Sequence, residues 1–262
     1  MGELNLEIRD IGVINLAKIN INKTNVVGGV NSRGKTTASK LLYCYLKTPS
    51  EELLENEGFK NINSQNIKFE CDSSFSDIFY LESISILDLK DSYALNLDHI
   101  KYLKKCLEVQ KHSCSDLISK IESIISDDCY SSAGIKQIGV IKILLENNSL
   151  RKNSFLIIDE PESNLHPDWQ IKFAEILVLL TKELNITIYL NSYSPIFIEA
   201  MSLYAQYYDL IKDTNFYLTK KQDNGKFVFK KINPENMGEV YENLTKSYDE
   251  LDNLKAKILF ME

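Results

Sequence analysis

The sequence predicts an α/β fold: a mostly parallel sheet wrapped by helices, with antiparallel strands at the N-terminus and an inserted helical subdomain at about residues 97–150. Three observations predict it. Short apolar or β-branched runs alternate with amphipathic helical stretches, the pattern of a parallel sheet with helical crossovers. Residues 4–22 instead alternate apolar and polar with no helix between, as adjacent antiparallel strands do. From Leu97 to about Ser126, and again over "IKQIGVIKILLEN", helical spacing runs on without an intervening strand.

Taken in order, "LNLEIRDIGVINLAKININ" reads as two short strands and "TNVV" as a third, running into Gly28-Gly29. "KTTASKLLYCYLK" has apolar residues at helical spacing. "SEELLENEGF" reads as a short helix, "NIKFEC" and "IFYLES" as strands. After the helical insertion, "SFLIIDEPE" is a buried strand ending in acids. "PDWQIKFAEILVLLTKEL" is an amphipathic helix with Pro167 in its first turn. "ITIYLNS" is another buried strand and "PIFIEAMSLYAQYYDLI" a helix. "NFYLTKKQDNGKFVFKKI" reads as a hairpin turning at Asp223-Asn224-Gly225. The tail over 234–262 reads as two polar helices. No repeat or flexible linker divides the chain, so residues 1–262 are expected to form a single domain.

Composition narrows the function classes. The 262 residues are 44% hydrophobic and 26% charged, with net charge −7, so a uniformly basic nucleic-acid coat is absent. Nucleic acid remains a possible ligand but is not indicated. No apolar run reaches membrane-spanning length and no signal-peptide core precedes the first strand. The five cysteines (Cys44, Cys71, Cys106, Cys114, Cys129) are scattered without a C-x-x-C pair. An odd, unclustered set suits a reducing cytoplasm and disfavours a zinc site.

The chemistry begins at "VVGGVNSRGKTTASK", residues 26–40. Gly29 to Thr36 fits G-x-x-x-x-G-K-[ST], the phosphate loop of P-loop NTPases, between a strand and a helix. Gly29 and Gly34 let the backbone curl so that its N–H groups and the helix N-terminus face phosphate oxygens. Lys35 is expected to reach the β- and γ-phosphates of ATP, Thr36 to bind Mg²⁺ and Thr37 to contact the α-phosphate. Asn31, Ser32 and Arg33 fill the loop and count with the glycines as nucleotide-binding candidates. An ordinary glycine-rich turn has no need of Lys-Thr at the helix start.

The second site is "FLIIDEPESNLHP", residues 155–167. Four apolar residues deliver Asp159 and Glu160 to the C-terminal end of a strand, where open α/β sheets bind ligands. Asp159 is the expected Mg²⁺ ligand and Glu160 the residue that polarises attacking water. A strand end emerging into solvent is the bland alternative. Two motifs of one mechanism, in the right order, speak against it.

Asp159-Glu160-Pro161 followed by Asn164-Leu165-His166-Pro167 resembles the ABC-type ATPases. Within them the chain is most similar to the OLD-like and short "AAA family ATPase" group of prokaryotic defence systems, and more distantly to SMC heads. "IGVINLAKININKTNVVGGVNSRGKTT" resembles the N-terminal lobe of that group, and the likeness runs from residue 5 to about 200. It implies ATP and Mg²⁺ as cofactors, and a homodimer or higher oligomer in which each head completes the other's site. "SSAGIKQ" sits where the family's signature motif lies, and Ser132 and Gly134 match its Ser and Gly. A plain helix cap is the other reading of that segment. Asn164 falls in the loop that contacts the opposite subunit, whereas His166 is expected to pack under the next helix.

Two departures qualify the resemblance: Tyr193, and Arg33, where the family often has a small residue. "LNSYSP" places Tyr193 where the family has a switch histidine, and tyrosine carries no positive charge near pH 7. That implies slow hydrolysis. The glutamine of the family's Q-loop is not assigned; Gln65 is no more than a candidate. The hundred residues between the two halves are too short for SMC-type arms. "YDELDN" is too short and helical to be a nuclease centre. The resemblance therefore implies a cytoplasmic ATPase, without a membrane partner, that regulates a separate effector such as a nuclease or toxin, possibly in antiviral defence. The alternatives are a non-hydrolysing ATP-dependent scaffold and, more distantly, the nucleotide-binding subunit of a transporter.

Overall fold

The computed structural model describes residues 3–82, 97–109, 116–125 and 135–259. Nine strands among them form one sheet in the order β4-β1-β2-β9-β8-β3-β7-β6-β5. The strands are β1 (Leu4–Ile11), β2 (Ile14–Asn20), β3 (Thr24–Gly28), β4 (Ile67–Cys71), β5 (Ile78–Leu81), β6 (Phe155–Asp159), β7 (Thr187–Ser192), β8 (Thr214–Lys221) and β9 (Phe227–Ile232). β5, β6, β7, β3 and β8 run parallel to one another. β1 pairs antiparallel with β2 and β4, and β8 with β9, as the alternating segments and the Asp223-Asn224-Gly225 turn predict. The parallel pairing of β2 with β9 joins the N-terminal strands to the hairpin, a link between positions over two hundred residues apart.

The parallel strands are buried on both faces, so they read as near-continuous apolar runs. Alternate residues then serve two cores. Leu156 and Ile158 of β6 face one, with Ile188 and Leu190 of β7 and the helices α6 (Pro167–Leu184) and α7 (Pro195–Tyr207). Phe155 and Ile157 face the other, with Leu41 and Leu42 of α1 (Lys35–Leu46) and with Leu4, Leu6 and Ile8 of β1. α1 is thus enclosed between the parallel strands and the curled N-terminal strands.

A short helix α2 (Glu51–Asn56) starts at Ser50, whose hydroxyl accepts the Leu53 N–H at 3.1 Å. The 97–150 stretch supplies α3 (Asp98–Leu107), α4 (Asp116–Ile125) and α5 (Ile135–Glu146). Their Leu103, Ile118, Ile121, Ile138, Ile141 and Leu144 share one core with Leu156 and Phe173. The tail differs from its expectation. One 3₁₀ turn (Pro234–Asn236) leads into a single helix, α8 (Gly238–Leu259), rather than two. No Pro or Gly after Gly238 breaks it. No helix among the described residues is long and apolar enough to cross a membrane.

Strand register sets the site. Gly28 pairs with Ser192, Asn191 with Asp159, and Leu81 with Ile158. The C-terminal ends of β3, β7, β6 and β5 therefore lie level along one edge, from which the glycine loop, Asp159 and Asn191 leave.

Candidate nucleotide-binding site

β3 ends at Gly28 and α1 begins at Lys35, so the glycine loop is the strand-to-helix turn that the sequence predicts. Gly29 has φ +148° and lies so close to Thr219 that a Cβ would sit 1.9 Å from its hydroxyl oxygen. Gly34 has φ +87°, and a Cβ there would meet Ile14 at 2.5 Å. Only glycine fits either position. Gly34 is the N-cap of α1, no side chain caps it, and no acid occupies the first turn. The helix's first N–H groups are left for a ligand, the arrangement that attracts anions. Asn31 and Ser32 are exposed on the loop, Ser32 with φ 63°, and Thr37 is half-buried one position after Thr36.

Lys35 is buried within the loop it follows. Its ammonium donates to the Gly29 carbonyl at 2.6 Å and to the Val30 carbonyl at 3.0 Å. Burial pushes its pKa down, against the pull of Asp159, Glu160 and Glu162. The cation is thus held at the loop's mouth beside three carboxylates.

Thr36 and Asp159 meet. The Thr36 hydroxyl donates to Asp159 Oδ2 at 2.6 Å, across 123 residues of sequence. Asn191, at the end of β7, donates its amide to Asp159 Oδ1 at 2.8 Å and to Ser39 Oγ at 2.5 Å. Burial raises the Asp159 carboxyl, and the bonds from Thr36 and Asn191 work the other way. A hydroxyl and one carboxylate side by side at a phosphate loop are the donor set that Mg²⁺ uses together with phosphate oxygens and water. The residues present therefore fit the ATP and Mg²⁺ that the resemblance implies.

Glu160 follows with φ 53°, a backbone state that non-glycine residues seldom adopt and that tends to mark functional sites. Its N–H donates to the Asn191 carbonyl at 3.0 Å, and Ser163 Oγ donates to Glu160 Oε2 at 3.1 Å. The backbone of Glu160 is thus tied to the end of β7, and its carboxylate to Ser163 of its own loop.

Glu162 is the acid that the sequence reading passes over. It is 3% exposed, and its Oε1 accepts three donors: Ser192 Oγ at 2.8 Å, Tyr193 N at 2.6 Å and Ser194 N at 3.1 Å. Its Oε2 is buried with no hydrogen-bond partner. It lies two residues after Glu160, and nothing in its local sequence distinguishes it from a charge in a surface loop. Tyr193 itself is 38% exposed, so its ring lies at the rim while its backbone is fixed.

Other candidates take different places. Arg33 Nη1 donates to the Thr219 carbonyl at 3.1 Å and to Asn243 Oδ1 at 3.2 Å, with the guanidinium 5.5 Å over the Phe227 ring. It clamps the loop to β8, β9 and α8. Ser132 and Gly134 lie outside the described residues. His166 is exposed rather than packed, and its ring accepts the Asp168 N–H at 3.3 Å as the cap of α6; Leu165 is the residue that packs. Gln65 sits in the turn before β4, at the far edge of the sheet from β5. The side chain that leaves the end of β5, next along from Asp159, is Glu82.

Residues 120–199 match a family described as "AAA domain, putative AbiEii toxin, Type IV TA system". No curated protein matches the chain. Among solved structures, an SMC head domain from Thermotoga maritima aligns with TM-score 0.51 at 11% identity, over 88% of this chain and 99% of that one. An SMC head bound to the C-terminal winged-helix domain of ScpA aligns with TM-score 0.50 at 9% identity, over 90% and 98%. At such identities the likeness is one of fold. The chain shares the α/β fold of these SMC heads, with a mixed, mostly parallel, curled sheet.

Proposed function

We propose that this protein is an ATP-binding, slowly hydrolysing ABC-type ATPase head, which pairs with a second copy around ATP and regulates a separate effector such as a nuclease or toxin. The observation that carries the reading is the 2.6 Å contact of Thr36 with Asp159 beneath an uncapped helix N-terminus. Any buried aspartate needs hydrogen-bond donors; that one of them is the hydroxyl directly after the loop lysine is the placement a metal–phosphate site would use.

In this reading Gly29 to Thr37 hold the triphosphate through loop N–H groups, and Lys35 turns from its two carbonyls to the β/γ-phosphates. Thr36 and Asp159 hold Mg²⁺, which neutralises charge on the phosphate oxygens when bound. Glu160 holds the proton of the attacking water, placed by its left-handed turn. Ser132 and Gly134 are proposed to close over the partner head's nucleotide. ATP favours the paired state only by the difference in its affinity for paired and single heads.

The match of residues 120–199 to a family described as an AAA domain and putative toxin of a toxin–antitoxin system supports a link to such a system; the separate effector and the defence setting rest on the resemblance alone. Membership of the narrower OLD-like group belongs to the same proposal. Tyr193 favours one second reading, an ATP-dependent scaffold that does not hydrolyse. The test of the proposal is Glu160→Gln with ATP and Mg²⁺, followed by light scattering. The variant should bind ATP and hold a longer-lived dimer than the wild type. A variant that stays monomeric at saturating ATP sinks the two-headed mechanism.

A further inference from the structure

Four charged side chains form a chain beside the candidate site, largely shielded from solvent. Lys40 lies on α1 one helical turn beyond Thr36, and its Nζ is 2.7 Å from Glu82 Oε1. Glu82 Oε1 is 3.8 Å from His99 Nε2, on α3. His99 Nδ1 is 2.8 Å from both carboxylate oxygens of Glu57, the C-cap of α2. Glu57 also accepts the His99 backbone N–H at 3.2 Å, in the first turn of α3. The side chains of His99 and Glu57 are 1% and 0% exposed.

The order is cation, carboxylate, imidazole, carboxylate. A neutral imidazole would leave this buried set with one excess negative charge, and a protonated one balances it. Burial works against charge on His99, and Glu57 and Glu82 outweigh it to hold the imidazole above its ordinary value. Burial likewise works against charge on Glu82, and His99 and Lys40 outweigh it. Among the described residues, the ring also meets Tyr80 of β5, 4.7 Å away, and Tyr43 of α1, 5.9 Å away. Tyr80 and Tyr43 are both pushed up by burial and titrate far above the imidazole. Asp98 precedes His99 on its own helix.

Glu82 is what connects this chain to the nucleotide site. Leu81 pairs with Ile158, so Glu82 leaves β5 level with Asp159. Its charge is among those that act on the Asp159 carboxyl. We propose that His99 is a positioning residue for the nucleotide site: as an imidazolium it faces Glu82 as an ion pair across 3.8 Å, with no hydrogen bond made at Nε2, holds that carboxylate between α3 and Lys40, and so couples the docking of α2 and α3 to the phosphate-loop helix and Asp159. Loss of the His99 proton frees Glu82 from one of its two cations and makes the edge beside Asp159 more negative. Phosphate binding should then weaken. This inference rests on the nucleotide reading, and its test separates the two.

The protein has three histidines, so ring resonances can be followed individually by NMR and that of His99 assigned by its loss in His99→Gln. His99 should titrate above the ordinary range, and Glu82→Gln should lower its titration by roughly one unit, the effect of one nearby charge. In parallel, a fluorescent non-hydrolysable ATP analogue is titrated with Mg²⁺ at several pH values. Wild-type affinity should fall roughly threefold to tenfold as His99 deprotonates, the size of one partly screened charge, and His99→Gln should flatten that step. Should His99→Gln fail to fold, Glu82→Gln carries the binding arm, since it removes the same link. Identical pH profiles in variant and wild type, or a His99 titration indifferent to Glu82→Gln, overturn the proposal. If the analogue binds neither protein at any pH, the nucleotide reading falls by itself, and the NMR arm decides whether the link to Glu82 exists.

Discussion

Glu162 Oε1 accepts the backbone N–H of Tyr193 at 2.6 Å, and through that bond the acidic end of β6 fixes the residue that follows β7. Ser192 and Ser194 add two more donors to the same oxygen. These bonds cross-link the loop after β6, which carries Glu160, to the residues that end and follow β7.

The Glu162 carboxyl is pushed up to about 7 by burial, in spite of those donors. Between the ordinary carboxylate value of 4.5 and about 7, the folded protein binds this proton more tightly than the unfolded chain does. Stability should therefore fall as pH rises through that window, by on the order of 3 kcal/mol from this group. Glu162→Gln keeps an oxygen for the three donors and removes the titration. Thermal unfolding of both proteins at about pH 5 and pH 7.5 checks it. The wild type should lose more than the variant, and equal losses would assign the titration elsewhere.

Lys35→Ala should weaken ATP binding by about a hundredfold or more, because it removes the one cation held at the loop's mouth. A charge-assisted contact of that kind is worth about 3 kcal/mol. The variant also loses the bonds from Nζ to the Gly29 and Val30 carbonyls, so its melting temperature should be recorded alongside. A folded variant with wild-type affinity would refute the phosphate-loop assignment.

Arg33→Ala separates two roles for the loop arginine. Its contacts with Thr219, Asn243 and Phe227 imply a structural clamp, so the variant should lose about 1–2 kcal/mol of stability. ATP affinity should change by less than about threefold, under 1 kcal/mol. A tenfold loss of affinity with unchanged stability would return Arg33 to the phosphates.

What the sequence makes legible here is what is local. The phosphate loop is a contiguous strand, turn and helix start, and Asp159 and Glu160 close a contiguous apolar strand. Periodicity and glycine placement suffice for both. The contacts that finish the site join distant positions. Asn191 meets Asp159 across 32 residues, Glu162 meets Tyr193 across 31, and Arg33 meets Asn243 across 210. Glu57 and His99 lie on two helices whose sequences show only surface-like charge, yet they face one another in the interior. No local pattern encodes such pairings. Burial of a charged residue becomes visible only when its partner is brought to it by the sheet register.

On the proposed reading, Tyr193 is the residue that sets the rate of hydrolysis. Its backbone is fixed by Glu162 at the end of β7, level with the phosphate loop through the pairing of Ser192 with Gly28. A histidine at that place, when protonated, offers the γ-phosphate a charged donor. Tyrosine offers one neutral donor on a bulkier, partly exposed ring. Losing one charge-assisted bond in a transition state costs about 2–4 kcal/mol, hence roughly 10²–10³ in rate. Basal turnover should accordingly be slow, with ATP serving mainly to hold the paired state. Tyr193→His should raise the single-turnover rate while leaving ATP affinity within about threefold, because ground-state binding rests on Lys35 and the loop N–H groups. Rapid-quench measurement of one turnover, with the protein in excess over ATP, reads this directly. Brisk hydrolysis by the wild type alone, slowed by Tyr193→His, would show that the tyrosine is no weakened switch residue, and the slow-ATPase reading would go with it.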